Sequence, residues 1–438
     1  MSIFGTENES AAGLSRRTFV GGAVAVAGSL ALAACTGKAS PGASVSGSAS
    51  TGSTSLTSSL STEGPKAGIA AMLAGYEAQI KNQVKLDIIP GASFSETIAS
   101  YLSGSPADTF TWFGGYRMKY YASQGLLAST DDLWESLGST FSAGAADAST
   151  GDDGKKYLIP NYTYPWAVFY RKSVWKKFGY TEPETWDQLL ALCAQMKKHG
   201  LTPISLADKD SWPAMGTFDI INLRLNGHEF HLNLCAHKES WDQPKVQSVF
   251  DQWSQLTPYQ PAAAQVLGAT WQDGVTSLAN GKAGMYVFGS FLTQAITDKS
   301  ISEDIDFFPF PEIAVEGRDA IEAPLDGFLL TKRGGDNPVA RDLLKYLGGA
   351  DAQTLYYSKD PNNIQTSKGF DTSKYSAFNQ KAAKLISEAK YQTQFFDRDA
   401  LPAMATNVLA PALQQFLKSG SVDLKNIERQ AKTLYASQ

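Results

Sequence analysis

Between residues 84 and 115 the chain alternates twice between the two hydrophobic periods that a polypeptide can use to bury one face. No other stretch restricts the fold as much. VKLDII at residues 84–89 reads as a strand stopped by Pro90-Gly91, and a helix is expected ahead of it at residues 67–83. Ser93-Phe94-Ser95-Glu96 has capping-box spacing and opens a helix whose Phe94, Ile98, Tyr101 and Leu102 share one face. Residues 108–112 then read as a buried strand, followed by the Gly114-Gly115 turn and an aromatic helix. Strand, helix, strand, helix implies α/β layers with parallel pairing, and such open sheets bind ligands beyond the carboxyl ends of their strands. Trp112 is expected to face a ligand at such an end, whereas Phe113 reads as core.

The N-terminus says where this fold works. In SRRTFVGGAVAVAGSLALAAC, Arg16 and Arg17 precede a Gly/Ala-rich apolar core that ends in Leu32-Ala33-Ala34-Cys35. The core is shorter than the roughly 20 apolar residues that a membrane-crossing helix needs, so residues 1–34 read as a twin-arginine-like export signal. The LAAC tetrad resembles the lipobox of bacterial lipoproteins, which implies lipidation of Cys35 and a place on the outer face of the cell membrane. Residues 35–62, nearly all Ser, Gly, Ala and Thr, read as a flexible tether.

About 400 residues follow the cleavage point, enough for two domains. A net charge of −5 without basic clusters argues against nucleic-acid binding. The nine tryptophans within an 11% aromatic content suit a neutral ligand with flat apolar faces instead. Cys193 and Cys235 could pair in an oxidising compartment, but Cys193 lies on one helical face with Trp186, Leu189, Leu190 and Met196, which favours a buried free thiol.

Four blocks in fixed order carry a resemblance. They are GSPADTFTWFGGYRMKYYASQGLLAS, YLIPNYTYPWAVFYRKSVWKKFG, EPETWDQLLALCAQMKKHGLTPISL and WQDGVTSLANGKAGMYVFGSF. Together they resemble the bacterial extracellular solute-binding lipoproteins of ABC sugar importers, similar to maltose- and multiple-sugar-binding proteins. The resemblance implies a two-lobed α/β fold of the type II periplasmic-binding-protein class. Each lobe would be an open, mostly parallel sheet flanked by helices, and crossover strands would join them. The solute-binding region is then residues 63–438, with lobe 1 at 63–165 plus 285–335 and lobe 2 at 166–284 plus 336–438. The family commonly opens with a hydrophobic strand, whereas residues 55–62 here are Ser/Thr-rich, so that strand is expected to be weak or absent. The implied function is capture of a sugar, an oligosaccharide in the first instance, by a monomer that serves a membrane permease and its ATPase, without catalysis, cofactor or metal.

A sugar presents vicinal hydroxyls and C–H faces, which carboxylates, amides and aromatic rings match. The stacking candidates are Trp112, Tyr164, Trp166, Trp212, Phe291 and Phe396; Trp271 is held back as a core or capping residue. Asn161, Asp326, Asn363, Gln394 and Asp397 are the hydrogen-bonding candidates, with Asp397 and Asp399 also suited to a helix N-terminus. Asp326-Gly327 interrupts an apolar strand at residues 325–330, and Gly327 is counted with the site because it lets backbone approach a ligand. Two other readings stand beside this one. A lipid-anchored carbohydrate hydrolase would use paired carboxylates such as Asp326 and Asp397. A metal-binding lipoprotein would use His228 and His231, although their spacing is not that of the His-Glu-x-x-His helix, and HEFHLNL reads as a loop or short extended segment. No Walker loop, Gly-x-Ser-x-Gly elbow or Gly-x-Gly-x-x-Gly fingerprint appears.

Overall fold

The computed structural model describes residues 52–436. The export signal, Cys35 and most of the tether lie outside the described residues. The first described element is β1 (Ser53–Ser58), which lies between β2 (Gln83–Ile88) and β3 (Thr109–Phe113) and runs parallel to both. This corrects the tether reading of residues 53–58 and the expectation of a weak or absent first strand. The reason is hydrogen bonding at long range. The Asp108 carboxylate accepts from Thr54 Oγ1 and from the amide and hydroxyl of Ser55, and Tyr101 donates to Thr57 Oγ1 at 2.9 Å. With its hydroxyls answered, a Ser/Thr-rich strand can be buried around Leu56.

The first sheet runs in the order β12 (Ile364–Gln365), β5 (Leu158–Thr163), β11 (Leu325–Thr331), β3, β1, β2, and β4 (Leu127–Ala128) pairs with β11. The second is ordered β7 (Thr202–Ser205), β8 (Ala283–Gly289), β6 (Trp166–Arg171), β9 (Ile305–Phe308), and a small third sheet joins β10 (Ala320–Glu322) to β13 (Tyr391–Thr393). Among the described strands, β1–β2, β1–β3, β7–β8 and β10–β13 pair parallel and the other pairs are antiparallel, so the sheets are mixed rather than mostly parallel. The path of the chain accounts for this. β5 leaves the first sheet through Tyr164-Pro165 into β6, and β11 returns beside it from β10, so the outgoing and returning strands run in opposite directions.

Each large sheet has its own apolar core. Leu56, Phe94, Phe110, Leu329, Leu344 and Tyr356 belong to the first, and Phe169, Met196, Ile204, Phe218, Trp253 and Met285 to the second. Several segments therefore change lobes relative to the sequence reading. β8 from residue 285 and β9, expected in lobe 1, pair with β6 in the second sheet, while helices Pro338–Leu347 and Ala350–Tyr357 and strand β12, expected in lobe 2, join the first core or the first sheet.

Local signals account for several helix ends. Thr185 and Gln188 form a capping box at helix Trp186–Lys198, which buries Leu189, Cys193 and Met196; both Cys193 and Cys235 are free thiols. The helix after Pro90 begins at Gly91, before Ser93, and has no side-chain cap. HEFHLNL is helical rather than a loop, as part of helix His228–Cys235. Gly227, at φ 82°, ends helix Pro213–Asn226 and starts the next in one residue, so a helix stop is followed at once by a new helix.

Candidate functional site

Residues 163–166 and 322–325 each lead from one core to the other, as does the chain after Tyr356, and the turn Gln394–Asp399 lies against the first two. Thr163 Oγ1 donates to the Ala323 carbonyl, and the Ala323 amide donates to Thr393. Gln394 Oε1 accepts from the Leu325 amide at 2.8 Å. The turn is short and closed on itself, because the Asp399 carboxylate accepts the Gln394 amide at 3.0 Å. Its arginine is thereby aimed at the crossing strands.

Arg398 is the centre of the site. Its guanidinium donates to Asp326 Oδ2 at 3.1 Å and to the Tyr164 hydroxyl at 2.9 Å, and it covers the Phe113 ring at 4.2 Å. Burial works against this charge, but Asp326, the Tyr164 oxygen and Asp397 together raise the pKa above its ordinary value. Burial also pushes the Asp326 carboxyl up, with Arg398 opposing. A second arginine, Arg117, reaches Asp397 at 3.6 Å and lies 5.0 Å over Trp112. The charged groups of this corner are thus two arginines answered by Asp326 and Asp397.

Beside this polar corner stands an aromatic one. Phe291 is half-buried and packs edge-on to Tyr164 at 5.2 Å, with Trp166, Trp212, Trp271 and Phe288 within 6.4 Å. Phe395, from the Arg398 turn, closes the cluster against Trp166 at 4.9 Å and Trp212 at 6.0 Å. Small residues make room for it. A Cβ on Gly216 would stand 2.1 Å from the Trp166 ring, and one on Gly289 would stand 2.4 Å from Phe291. Trp212, Trp271 and Phe291 keep part of their surface exposed.

Of the residues expected from sequence, Tyr164, Trp166, Trp212, Phe291, Asp326 and Asp397 come together here. The others are buried against protein. Trp112 is 2% exposed, stacked on Phe113 and edge-on to Phe94, and it is Phe113 that meets Arg398; alternation along a strand reverses the expected pair. Phe396 is core, packed on Trp241 and Phe218. Gln394 spends its oxygen on the β11 backbone. Gly327 meets protein rather than ligand, since a Cβ there would stand 2.2 Å from the Ile159 carbonyl, at the register shift between β5 and β11. Asn161 and Asn363 are buried, and their Oδ1 atoms have no partner among the described residues, while Asn363 donates to Asp360 at 3.1 Å.

Sequence reasoning missed Arg398, Phe113 and Phe395 and held back Trp271, which belongs to the aromatic cluster. The Asp-Arg-Asp run at residues 397–399 was the signal available for Arg398, but it reads equally as helix-terminal charge. Asn362 and Gln294 were also missed. Asn362 Oδ1 accepts from Thr293 at 2.7 Å, and Gln294 donates to Asp360, which ties the loop after β8 to the loop before β12.

The geometry bears on the two other readings. Asp326 is held by Arg398 and Asp397 by Arg117, so each carboxylate already has an arginine partner. His231 is buried with Nδ1 3.1 Å from the Asn222 amide, and burial pushes its pKa down to about 3. His228 stacks on Tyr391 at 4.7 Å. Among the described residues, no group of three or more His, Cys, Asp and Glu is arranged to hold a metal ion.

Comparison with known proteins adds an independent line. Residues 59–354 match the family model described as bacterial extracellular solute-binding protein. The solved structure of the bacterial solute receptor AcbH, described as having an exclusive substrate preference for b-D-galactopyranose, is 38% identical and superposes with a TM-score of 0.84, covering 88% of this chain and 100% of that one. An uncharacterized ABC transporter extracellular-binding protein of Pyrococcus horikoshii is 23% identical over 67% of each chain. The multiple sugar-binding protein of Streptococcus mutans is 24% identical over 48% of this chain and 51% of its own length.

Proposed function

Because this chain belongs to the bacterial extracellular solute-binding proteins, we propose that it captures a sugar between its two lobes and delivers it to an ABC importer, meaning a membrane permease and its ATPase. The observation that carries this reading is the half-exposed aromatic cluster around Phe291 set beside the Arg398–Asp326 pair. Trp212, Trp271 and Phe291 offer flat apolar faces for the C–H side of a pyranose ring. Arg398, Asp326 and Asp397 offer charge-assisted donors and acceptors for its hydroxyls. The role is binding and release, with the lobes closing on the sugar because the closed state binds it better.

A single pyranose is the first ligand to try, since the solute receptor AcbH is described as preferring b-D-galactopyranose; the sequence reading points to an oligosaccharide. In the proposed setting the exported chain is a monomer held by lipid on Cys35 at the outer face of the membrane. Among the described residues no helix is long and apolar enough to cross a membrane. Titration calorimetry of the chain from residue 36 onward, against galactose, glucose and di- to tetrasaccharides, with recovery of the sugar afterwards, tests the reading. Saturable binding of an unaltered sugar supports it. Cleavage of the sugar replaces capture with hydrolysis, and no heat with any sugar refutes it.

A further inference from the structure

Two buried carboxyl groups lie behind the Gln394–Asp399 turn, and the capture role leaves them unexplained. Asp219, on helix Pro213–Asn226, is 1% exposed; its Oδ2 accepts the Phe396 amide at 2.6 Å and its Oδ1 has no partner among the described residues. Glu322, the last residue of β10, is fully buried, and neither of its oxygens has a partner among the described residues. Asp219 is its strongest electrostatic neighbour. Three carboxylate oxygens in one dry place cost stability if they are charged, and each proton removes a charge and supplies a donor.

Both groups sit where movement would be felt. Glu322 immediately precedes the crossing at Ala323, and Asp219 grips the turn that aims Arg398 at Asp326 and Tyr164. Resting on the capture role above, we propose that Asp219 and Glu322 are a proton-holding pair that positions the Arg398 turn, so that sugar binding requires both to keep their protons. Opening the lobes hydrates the pair and lets protons leave; closing takes them up.

The electrostatic surroundings agree with this. Burial drives both carboxyls well above their ordinary values, and Asp397 and Asp399 push the same way. Arg398 opposes for Glu322. The other groups facing the pair are Tyr164 at the crossing and Cys235 on helix His228–Cys235, while Arg117 and Lys119 on helix Tyr116–Ser123 face the Asp397 and Asp399 carboxylates of the turn. Burial also raises Asp399, to about 6, so it titrates in a neighbouring range and needs its own control. For an acid whose pKa is raised in the closed state, the closed state holds more protons than the open one. Binding therefore weakens as pH rises above the ordinary carboxylate range and levels off above the closed-state value.

The test is calorimetry with D-galactose, or with the sugar that the panel above identifies, from pH 5.5 to 8, in buffers of different ionisation enthalpy. The wild type is expected to lose about tenfold or more in affinity across this range and to take up protons on binding. Glu322→Gln and Asp219→Asn are expected to flatten the profile while keeping the affinity seen at pH 5.5, whereas Asp399→Asn keeps the slope. A flat wild-type profile without proton uptake overturns the proposal, as does a slope that survives both substitutions or disappears only in Asp399→Asn. Melting of the sugar-free proteins over the same pH range separates the two levels of argument. If melting depends on the pair but affinity is flat, the pair is structural and capture stands. If melting depends on the pair and no sugar binds at any pH, the capture reading fails and the positioning role with it.

Discussion

Replacing Arg398 by methionine keeps most of the side-chain volume and removes the charge, leaving Asp326 and the Tyr164 hydroxyl facing an apolar group. The side chains of Arg398 and Asp326 are only 13% and 14% exposed, so solvent cannot replace the lost partner. Removing one member of a buried pair costs about 3–5 kcal/mol, most of it the penalty of stranding the other charge. The loss should itself depend on pH. Without Arg398, nothing opposes the burial that already pushes Asp326 up, so the folded state holds a proton that the unfolded chain releases above about pH 4. Arg398→Met is therefore expected to be closest to wild type at low pH and to lose stability as pH rises, and Asp326→Asn in the same chain is expected to remove that slope. Urea unfolding at pH 5 and pH 8 reads both effects. Sugar affinity is expected to fall about tenfold to a hundredfold, the value of one hydrogen bond to a charged group. A stability loss below about 1 kcal/mol with no pH dependence, against a usual 3–5 for a buried pair, would mean that Arg398 and Asp326 do not form a buried pair, and the polar half of the site would have to be redrawn.

Trp212→Ala and Phe291→Ala are each expected to weaken sugar binding by about tenfold, as loss of an aromatic face worth roughly 1–2 kcal/mol implies, while unfolding shifts less than for Trp166→Ala, a core truncation worth about 3–5 kcal/mol; calorimetry and urea melts together check the contrast. Asp208 is fully buried at the start of helix Pro213–Asn226, where it accepts the Ala214 amide at 2.8 Å, and burial raises its pKa to about 6. The folded state then keeps a proton that the unfolded chain loses above about pH 4, so its contribution falls between about pH 4 and 6, on the order of 3 kcal/mol for two units. Asp208→Asn is expected to flatten the melting temperature across that window. Burial pushes the Cys193 thiol up to about 12, and it is fully covered. Iodoacetamide should leave it unlabelled in the native protein and label it in urea, with intact-mass spectrometry finding two free thiols between Cys193 and Cys235.

Neighbouring residues were enough to announce the layers and many of their ends. Pro90-Gly91 marks the end of β2, Thr185 and Gln188 cap their helix, and Asn280-Gly281 closes helix Trp271–Ala279 with Gly281 at φ 65°. These features depend on hydrogen bonds and dihedral limits within about four residues, so a linear reading can find them. The aromatic half of the site was legible to the same degree. Tyr164 and Trp166 flank Pro165 on the crossing, and Phe291 follows the glycine at the end of β8.

Partners far apart in the chain decided the rest. β1 is a strand because Asp108, some fifty residues on, answers its hydroxyls; read alone, the same Ser and Thr residues look like linker. Trp112 and Phe113 exchange their expected places because the sheet's pairing decides which residue faces the cleft. Arg398 becomes central only where β11 returns beside the residues that lead out of β5, setting Asp326 and Tyr164, whose numbers lie 72 and 234 away, at one guanidinium. Glu322 and Asp219 acquire their interest in the same way, since a carboxyl's proton affinity depends on how dry its surroundings are and which charges face it. Local composition and spacing set which elements form. Burial and long-range electrostatics, which exist only once those elements pack, set which side chains line the candidate site.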